Sequence, residues 1–178
     1  MIRLSLTVGA LAILTACSVG SSVQSNQWRS GVPSSFAYAG ATAPVPTIMV
    51  GNPFPVQDAA VSRVIVETSK GSYGGGSYVT FVSSTTTDGL RVVWHLSAPL
   101  AQSGQGLCAG PVMAGAAPAT GGAQRIMGAF CSGAIALADV TVRLPAVPVG
   151  PDDLQWRNAF PQALSAMVPM LDPYEDME

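Results

Sequence analysis

Cysteine and histidine are the residues of this chain whose spacing says most about chemistry. The 178 residues include three cysteines, Cys17, Cys108 and Cys131, and one histidine, His95. Thiolates and imidazole bind zinc, but these residues form no Cys-x-x-Cys or His-x-x-x-His spacing of the kind that zinc sites use. The sequence therefore predicts no metal site and no cofactor, and each of the four residues needs its own interpretation.

Cys17 follows a segment with the three parts of an export signal. Arg3 gives a positive n-region, residues 4–14 form a mostly apolar h-region, and Thr15 and Ala16 are small. The apolar region is too short to cross a bilayer, which takes about 20 residues. The stretch Leu-Thr-Ala-Cys that ends at Cys17 resembles the lipobox of bacterial lipoproteins, in which the cysteine is lipidated before the signal is removed.

The lipobox resemblance implies where the protein resides. Residues 1–16 are expected to be a signal peptide, and Cys17 to be the first residue of the mature chain. Acyl chains on its sulfur would anchor the protein, since stable attachment takes more than one chain. Ser18 directly follows Cys17. A serine rather than an aspartate at this position resembles the pattern of lipoproteins that are transferred to the outer membrane. We expect an outer-membrane anchor with the protein facing the periplasm; the inner membrane is the alternative.

Cys108 and Cys131 remain once Cys17 is lipidated. In an exported protein, two such cysteines predict a disulfide. They are 23 positions apart, and closing a loop of that length contributes roughly 3 kcal/mol in the chain-entropy model. The bridge would join the Gly- and Pro-rich segment 102–122 to a strand at 126–131. A redox-active pair is the weaker alternative, because no Cys-x-x-Cys motif tunes these thiols.

His95 is the one candidate for a catalytic base. Such a histidine needs a nucleophile and an orienting carboxylate, and the nearest acid in the sequence is Asp88. The alternation of segment 90–96 places His95 beside Arg91, on the strand face opposite Trp94. We expect a half-exposed surface histidine, no catalytic residue and a protein that is not an enzyme. An envelope hydrolase that uses His95 is the alternative.

Charge is scarce in this chain, and its distribution excludes one class of partner. Charged residues make up 10% of the sequence, against about 25% in typical globular proteins. The basic residues are scattered singly, so the basic patch of a nucleic-acid binder is absent. Residues 17–35 are rich in Ser, Gly, Gln and Asn, which predicts a flexible tether. Residues 172–178 form an acidic tail that we expect to be solvated.

Hydrophobic periodicity predicts a single α+β domain over residues 36–171. Strands are expected at 47–50, 78–83, 90–96, 126–131 and 135–144, and helices at 56–68 and from 151 onwards. The β-branched content of 56–68 leaves a strand as the alternative there. Asp152 is the expected N-cap of the last helix and Pro161 its expected kink. The order predicts a mostly antiparallel sheet of about four to five strands with two helices on one face.

Short motifs across the domain resemble a group of short, uncharacterised envelope lipoproteins of Gram-negative bacteria. The motifs are Phe36-Ala37-Tyr38-Ala39-Gly40, Val50-Gly51-Asn52-Pro53-Phe54, Val93-Trp94-His95, Leu107-Cys108 and Ala129-Phe130-Cys131-Ser132-Gly133. The resemblance spans residues 36–171 and implies an envelope location. It implies no activity and no catalytic residue.

The anchor, the tether and the low charge favour a non-enzymatic accessory or partner-binding domain of the cell envelope. Phe54 and Trp94 are the candidate aromatic contacts to an envelope protein partner, with a core position as the alternative for Phe54. The alternative is a small-ligand or lipid-binding lipoprotein with an apolar groove between sheet and helices. A pocket above roughly 300 Å³ with apolar walls would be its structural sign.

Overall fold

Four helices and eight strands make up the part of the chain that the structure describes. A computed structural model describes residues 21–73, 78–110 and 123–169, so the predicted signal peptide, Cys17 and the predicted acidic tail lie outside the described residues. The elements are β1 (Ser22–Trp28), α1 (Val32–Thr42), β2 (Val45–Val50), α2 (Asp58–Ser69), β3 (Gly71–Ser72), β4 (Tyr78–Val79), β5 (Phe81–Ser83), β6 (Leu90–His95), α3 (Gly104–Ala109), β7 (Gln124–Ser132), β8 (Ile135–Leu144) and α4 (Leu154–Met167). Among the described residues, no helix has both the length and the apolar character to span a membrane.

The main sheet has six strands in the order β1-β8-β7-β6-β2-β5, and β3 and β4 form a separate two-stranded sheet. The pairs β1–β8, β8–β7 and β7–β6 are antiparallel. Strand β2 is parallel to both β6 and β5, and α2 lies in the connection between β2 and β5, as parallel neighbours require. The α+β class is thus confirmed, with more strands than the sequence predicts.

One face of the sheet, here the helical face, packs against α1, α2 and α4 and holds the larger core. Aromatic rings meet edge to face there: Trp94 of β6 lies 5.2 Å from Phe160 of α4, and Phe54 lies 4.9 Å from Trp156, between ring centroids. Gly128 on β7 leaves the space that the Trp94 indole fills, since a Cβ there would lie 2.3 Å from Trp94 Cζ3. Phe54 and Trp94 are both buried.

The burial of Phe54 and Trp94 corrects the prediction that they contact a partner. A hot-spot anchor must reach the surface of the free protein, and both rings instead belong to the core beneath α4. The alternation of β6 indicates correctly that Trp94 faces inward. Phe54 lies in the turn after β2, and its ring points inward and packs on Trp156.

The predicted tether over 17–35 is also wrong from residue 22 onwards. Residues 22–28 form β1, which pairs with β8 along its length, and α1 begins at Val32. Strand β1 is polar because it lies at the edge of the sheet, where one partially buried apolar side chain, Val23, suffices. Backbone hydrogen bonds to β8 rather than hydrophobic pattern hold it in place.

The predicted helices are confirmed with adjusted ends. α2 is a helix rather than the alternative strand, and α4 contains Pro161. The N-cap of α4 is Asp153 and not Asp152, since the Asp153 carboxylate accepts a hydrogen bond from the Gln155 backbone N–H at 2.9 Å. The Gly- and Pro-rich segment 102–122, for which the sequence predicts no helix, contains the short helix α3 in its described part.

Candidate binding site on the second face of the sheet

The second face of the sheet, opposite the helical face, is covered by α3. Leu107 and Cys108 of this helix pack against Met127, Ala129 and Cys131 of β7 and form a smaller core. The structure confirms the predicted disulfide between Cys108 and Cys131, whose Cα atoms lie 5.6 Å apart. The bridge joins α3 to the centre of the sheet, so the helix is fixed covalently to the strand beneath it.

Charged side chains of the sheet hold both ends of α3. At its start, Asp139 of β8 accepts a hydrogen bond at Oδ2 from the Gly104 N–H at 3.2 Å, and at its end Arg91 donates from Nη2 to the Cys108 carbonyl at 3.0 Å. A carboxylate at the N-terminus and a cation at the C-terminus are the arrangement that the helix dipole favours. Residue 104 must be small here, because a Cβ on Gly104 would lie 2.3 Å from Asp139 Cβ.

Burial affects the ionisation of Asp139. Desolvation raises the pKa of its carboxyl above the usual value, while the Gly104 N–H and the positive charge of Arg125 act in the opposite direction. The hydrogen bond from the Gly104 N–H favours the ionised carboxylate, and through this bond Asp139 supports the start of α3.

The side chain of Gln105 fixes the position of α3 along the sheet. Its amide donates from Nε2 to the Ala134 carbonyl at 2.8 Å and accepts at Oε1 from the Ala136 N–H at 3.2 Å. The amide thereby bonds one carbonyl of the turn between β7 and β8 and one N–H at the start of β8, as the backbone of a neighbouring strand would. Helix α3 is therefore attached to β6 and β8 by polar contacts and to β7 by the disulfide.

A cavity of about 500 Å³ opens beside α3 on this face. Its wall is formed by side chains of β2 and β6, by the C-terminal half of α3 and by the turn between β7 and β8. Most of the lining is apolar: Ile48, Val50, Val93, Leu107, Cys108, Ala109 and Ala134, with Gly110 and Gly133. The polar lining residues are Thr87, Asp88 and Arg91. This volume is within the range of small-molecule sites, about 300–1,000 Å³.

Arg91 is the buried cation of this cavity. The residue is only 2% exposed, and burial lowers the pKa of its guanidinium, against the opposing effect of the Asp88 carboxylate. Its Nη2 bonds the Cys108 carbonyl, whereas its Nε has no hydrogen-bond partner among the described residues. A guanidinium at the wall of an apolar cavity with an unfilled donor is a feature that sequence alternation alone did not indicate.

His95 is fully buried on the second face, which corrects the prediction of a surface residue. Its Nδ1 accepts a hydrogen bond from the Ser97 backbone N–H at 3.3 Å, whereas in a catalytic triad that nitrogen donates to a carboxylate. Asp88 precedes the opposite end of β6. Asp139 is two strands away and two residues along in register, about 12 Å between Cα atoms at ideal sheet spacing. Neither acid has the placement that the hydrolase alternative requires.

Metal binding has no support in the described ranges. Within residues 21–73, 78–110 and 123–169, no group of three or more His, Cys, Asp or Glu side chains is arranged to hold a metal ion. Cys108 and Cys131 are joined to each other, so neither presents a thiolate. The site on the second face is therefore a cavity with apolar walls and one buried cation.

Comparison with known proteins assigns no relative. No protein-family model matches the chain, and no curated protein or solved structure is significantly similar to it. The function must therefore be argued from the cavity itself.

Proposed function

We propose that this protein is a non-enzymatic, lipid-anchored binding protein of the cell envelope that takes a small, largely apolar molecule into the second-face cavity. The anchor is Cys17, and the domain faces the periplasm from the outer membrane. The observation that carries the proposal is the cavity of about 500 Å³ with walls that are mostly apolar. On the sequence alone partner binding is the favoured interpretation, but its two expected aromatic contacts are core residues.

The lining of the cavity indicates the chemistry of its ligand. Burying apolar surface of the ligand against Ile48, Val93 and Leu107 contributes about 25 cal/mol per Å². Arg91 and Asp88 stand at the same cavity with opposite charges, so a polar group that hydrogen-bonds them would orient the molecule. The fixed position of α3 keeps the cavity formed before a ligand arrives, which lowers the entropy cost of binding.

Filling the cavity tests this proposal. Ala134 is exposed, lines the cavity and contributes its carbonyl, not its side chain, to the contact with Gln105. The variant Ala134→Trp adds an indole at the wall of the cavity, where it narrows the space for a ligand, without removing a described contact. The matched control is Ala59→Trp, the same change at an exposed alanine of α2 on the helical side.

The measurement is mass spectrometry of small molecules extracted from the protein purified out of its native membrane. We expect a compound that accompanies the wild type and the Ala59→Trp variant and is lost from the Ala134→Trp variant. The wild type and both variants carry the same annular lipid, so lipid that merely adheres to the anchor does not change among them. Identical extracts from all three proteins contradict the proposed binding function.

A further inference from the structure

One end of the main sheet, here the anchor end, is where β1 begins. The register defines it: Ser22 at the start of β1 pairs with Arg143 near the end of β8, and Arg143 pairs with Arg125 near the start of β7. The ends of β6 and β2 lie at the same end, since His95 pairs with Met127 and Val50 with His95.

Four large apolar side chains are exposed in the segments that leave the anchor end. Their exposed fractions are 41% for Val56, 85% for Leu100, 95% for Val149 and 75% for Leu154. Val56 follows β2, Leu100 follows β6, Val149 lies between β8 and α4, and Leu154 begins α4. Exposed apolar residues are ordinary on protein surfaces, and Trp28, Val82 and Ile135 are exposed at the opposite end of the sheet. The anchor end differs from that end in its short distance along the chain from Cys17.

Contacts within the fold keep these segments at the anchor end. The Arg125 guanidinium donates to the Pro99 carbonyl, and the Ala98 N–H donates to the Arg125 carbonyl at 3.0 Å, so the Leu100 segment is held to the start of β7. The start of α4 is placed beside the end of β2, because Trp156 packs edge to face on Phe54.

The length of chain before β1 decides what covers this surface. Four residues separate Cys17 from Ser22, and a fully extended chain spans at most about 3.6 Å per residue. If Cys17 is lipidated, the start of β1 is then within about 18 Å of the lipidated residue. A tether that reached residue 35 would have allowed the domain to lift away, but β1 already belongs to the sheet.

We propose that the anchor end rests on the surface of the bilayer, with Leu100, Val149, Leu154 and Val56 in its interfacial region. This inference rests on the lipid anchor of the proposed function and not on the cavity. A second, smaller cavity of about 250 Å³ lies next to Leu100, lined by residues 97–100 and 123–125, and gives an acyl chain or glycerol group a place to enter.

The charges at the anchor end indicate which kind of membrane it fits. Arg125 and Arg143 lie there as cations, and Asp58, Asp152 and Asp153 are acids in the segments beside Val56 and Leu154. Asp152 also pairs with Arg157 at 3.5 Å. Because the two signs are mixed, apolar insertion rather than attraction to anionic lipid supplies the contact, and a zwitterionic phospholipid surface suffices.

Tryptophan placed at the anchor end reports its depth in the bilayer. The mature lipidated protein is reconstituted into phosphatidylcholine vesicles with and without brominated acyl chains, which quench nearby indoles. Leu100→Trp is the probe and Ile135→Trp the matched control, an exposed apolar residue at the opposite end of the sheet, where β8 begins. Val149→Trp, in a separate loop, gives a second probe.

We expect brominated lipid to remove most of the emission that Leu100→Trp and Val149→Trp add to the wild-type signal, and none of that added by Ile135→Trp. Equal emission from probes and control, in protein that floats with the vesicles, overturns the bilayer contact while the anchor stands. Protein that does not float with the vesicles shows that the lipid anchor itself is absent, and this inference falls with it.

Discussion

Breaking the disulfide between Cys108 and Cys131 should destabilise the domain without unfolding it. The bridge closes a loop of 23 positions, and the chain-entropy model assigns such a loop about 3 kcal/mol of folding free energy at 25 °C. The polar contacts of α3 remain when the sulfurs separate, since Asp139, Arg91 and Gln105 bond the backbone of the helix or of the adjoining turn. We therefore expect a folded domain in which α3 stays on the sheet.

The assay is urea unfolding followed by circular dichroism, on mature protein in a mild non-ionic detergent. A slope of about 2 kcal/mol per molar urea turns a loss of about 3 kcal/mol into a midpoint lower by about 1.5 M. Wild type with dithiothreitol and the Cys108→Ala, Cys131→Ala double variant should shift by similar amounts. The double variant provides the control, because dithiothreitol should have no further effect on it.

Three results would contradict the reasoning about the disulfide and the contacts of α3. A midpoint that is the same with and without dithiothreitol, within about 0.3 M, would show that the bridge does not constrain the unfolded chain. Two thiols that react with an alkylating reagent in the untreated protein would show that Cys108 and Cys131 are not joined at all. Loss of all secondary structure in the double variant would instead show that the polar contacts of α3 do not hold the second face.

Three further changes test other parts of the molecule. Cys17→Ser should leave the precursor unprocessed and remove it from the palmitate-labelled fraction; labelling that persists would contradict the lipid anchor. His95→Ala should lower the free energy of unfolding by about 2–3 kcal/mol, because it removes a fully buried ring and the acceptor of a backbone N–H; a loss below about 0.5 kcal/mol would restore the surface interpretation. Gly128→Ala should cost about 1–3 kcal/mol, since its Cβ would lie 2.3 Å from the indole beneath it. Gly150→Ala, which has open space around its Cβ, is the matched control and should leave the urea midpoint unchanged.

The central strands could be predicted from the sequence because their side chains alternate against two different surroundings. In β8, Val140, Val142 and Leu144 face the larger core while Thr141 points to the second face, and this period of two is visible in the sequence. Helix α2 was likewise predictable from apolar residues at helical spacing. The apolar residues of these elements recur at strand or helix spacing because each element packs against a core on at least one side.

The missed elements depend on contacts that no local pattern records. Strand β1 is almost wholly exposed and owes its conformation to pairing with β8. Helix α3 is short, contains two glycines and is held by tertiary contacts, with Ser103 accepting from the Gly106 N–H at 3.1 Å as its local signal. Helix α1 carried a usable signal that the low-complexity appearance of residues 17–35 obscured: Pro33 in the first turn and buried Val32 and Phe36 one turn apart.

The error about His95 shows the same limit at the candidate site. Alternation assigned Arg91 and His95 correctly to one face of β6, opposite Trp94. It did not indicate that a helix from a Gly-rich segment covers that face, so an exposed surface was expected where the structure has a second core and a cavity. Among the sequence features, the predicted disulfide alone indicated that the Gly-rich segment covers this face, because it joins that segment to β7.

The placement of the cavity relative to the anchor end narrows the source of its ligand. One rim of the cavity is formed by Asp88, Gly133 and Ala134, at the end of the sheet where β7 turns into β8, while Val50 of its wall lies at the end of β2, toward the anchor end. β8 extends over 10 residues from that turn to the anchor end, about 33 Å at the usual rise per residue. If the anchor end rests on the bilayer, this rim faces the aqueous periplasm and gives a small amphipathic compound a route of entry from water. Leu100 does not line the cavity, so charged substitutions at Leu100 should leave the extracted ligand unchanged if the ligand enters through this rim. Loss of the ligand from such a variant would show that it is drawn from the membrane past the Val50 side of the wall.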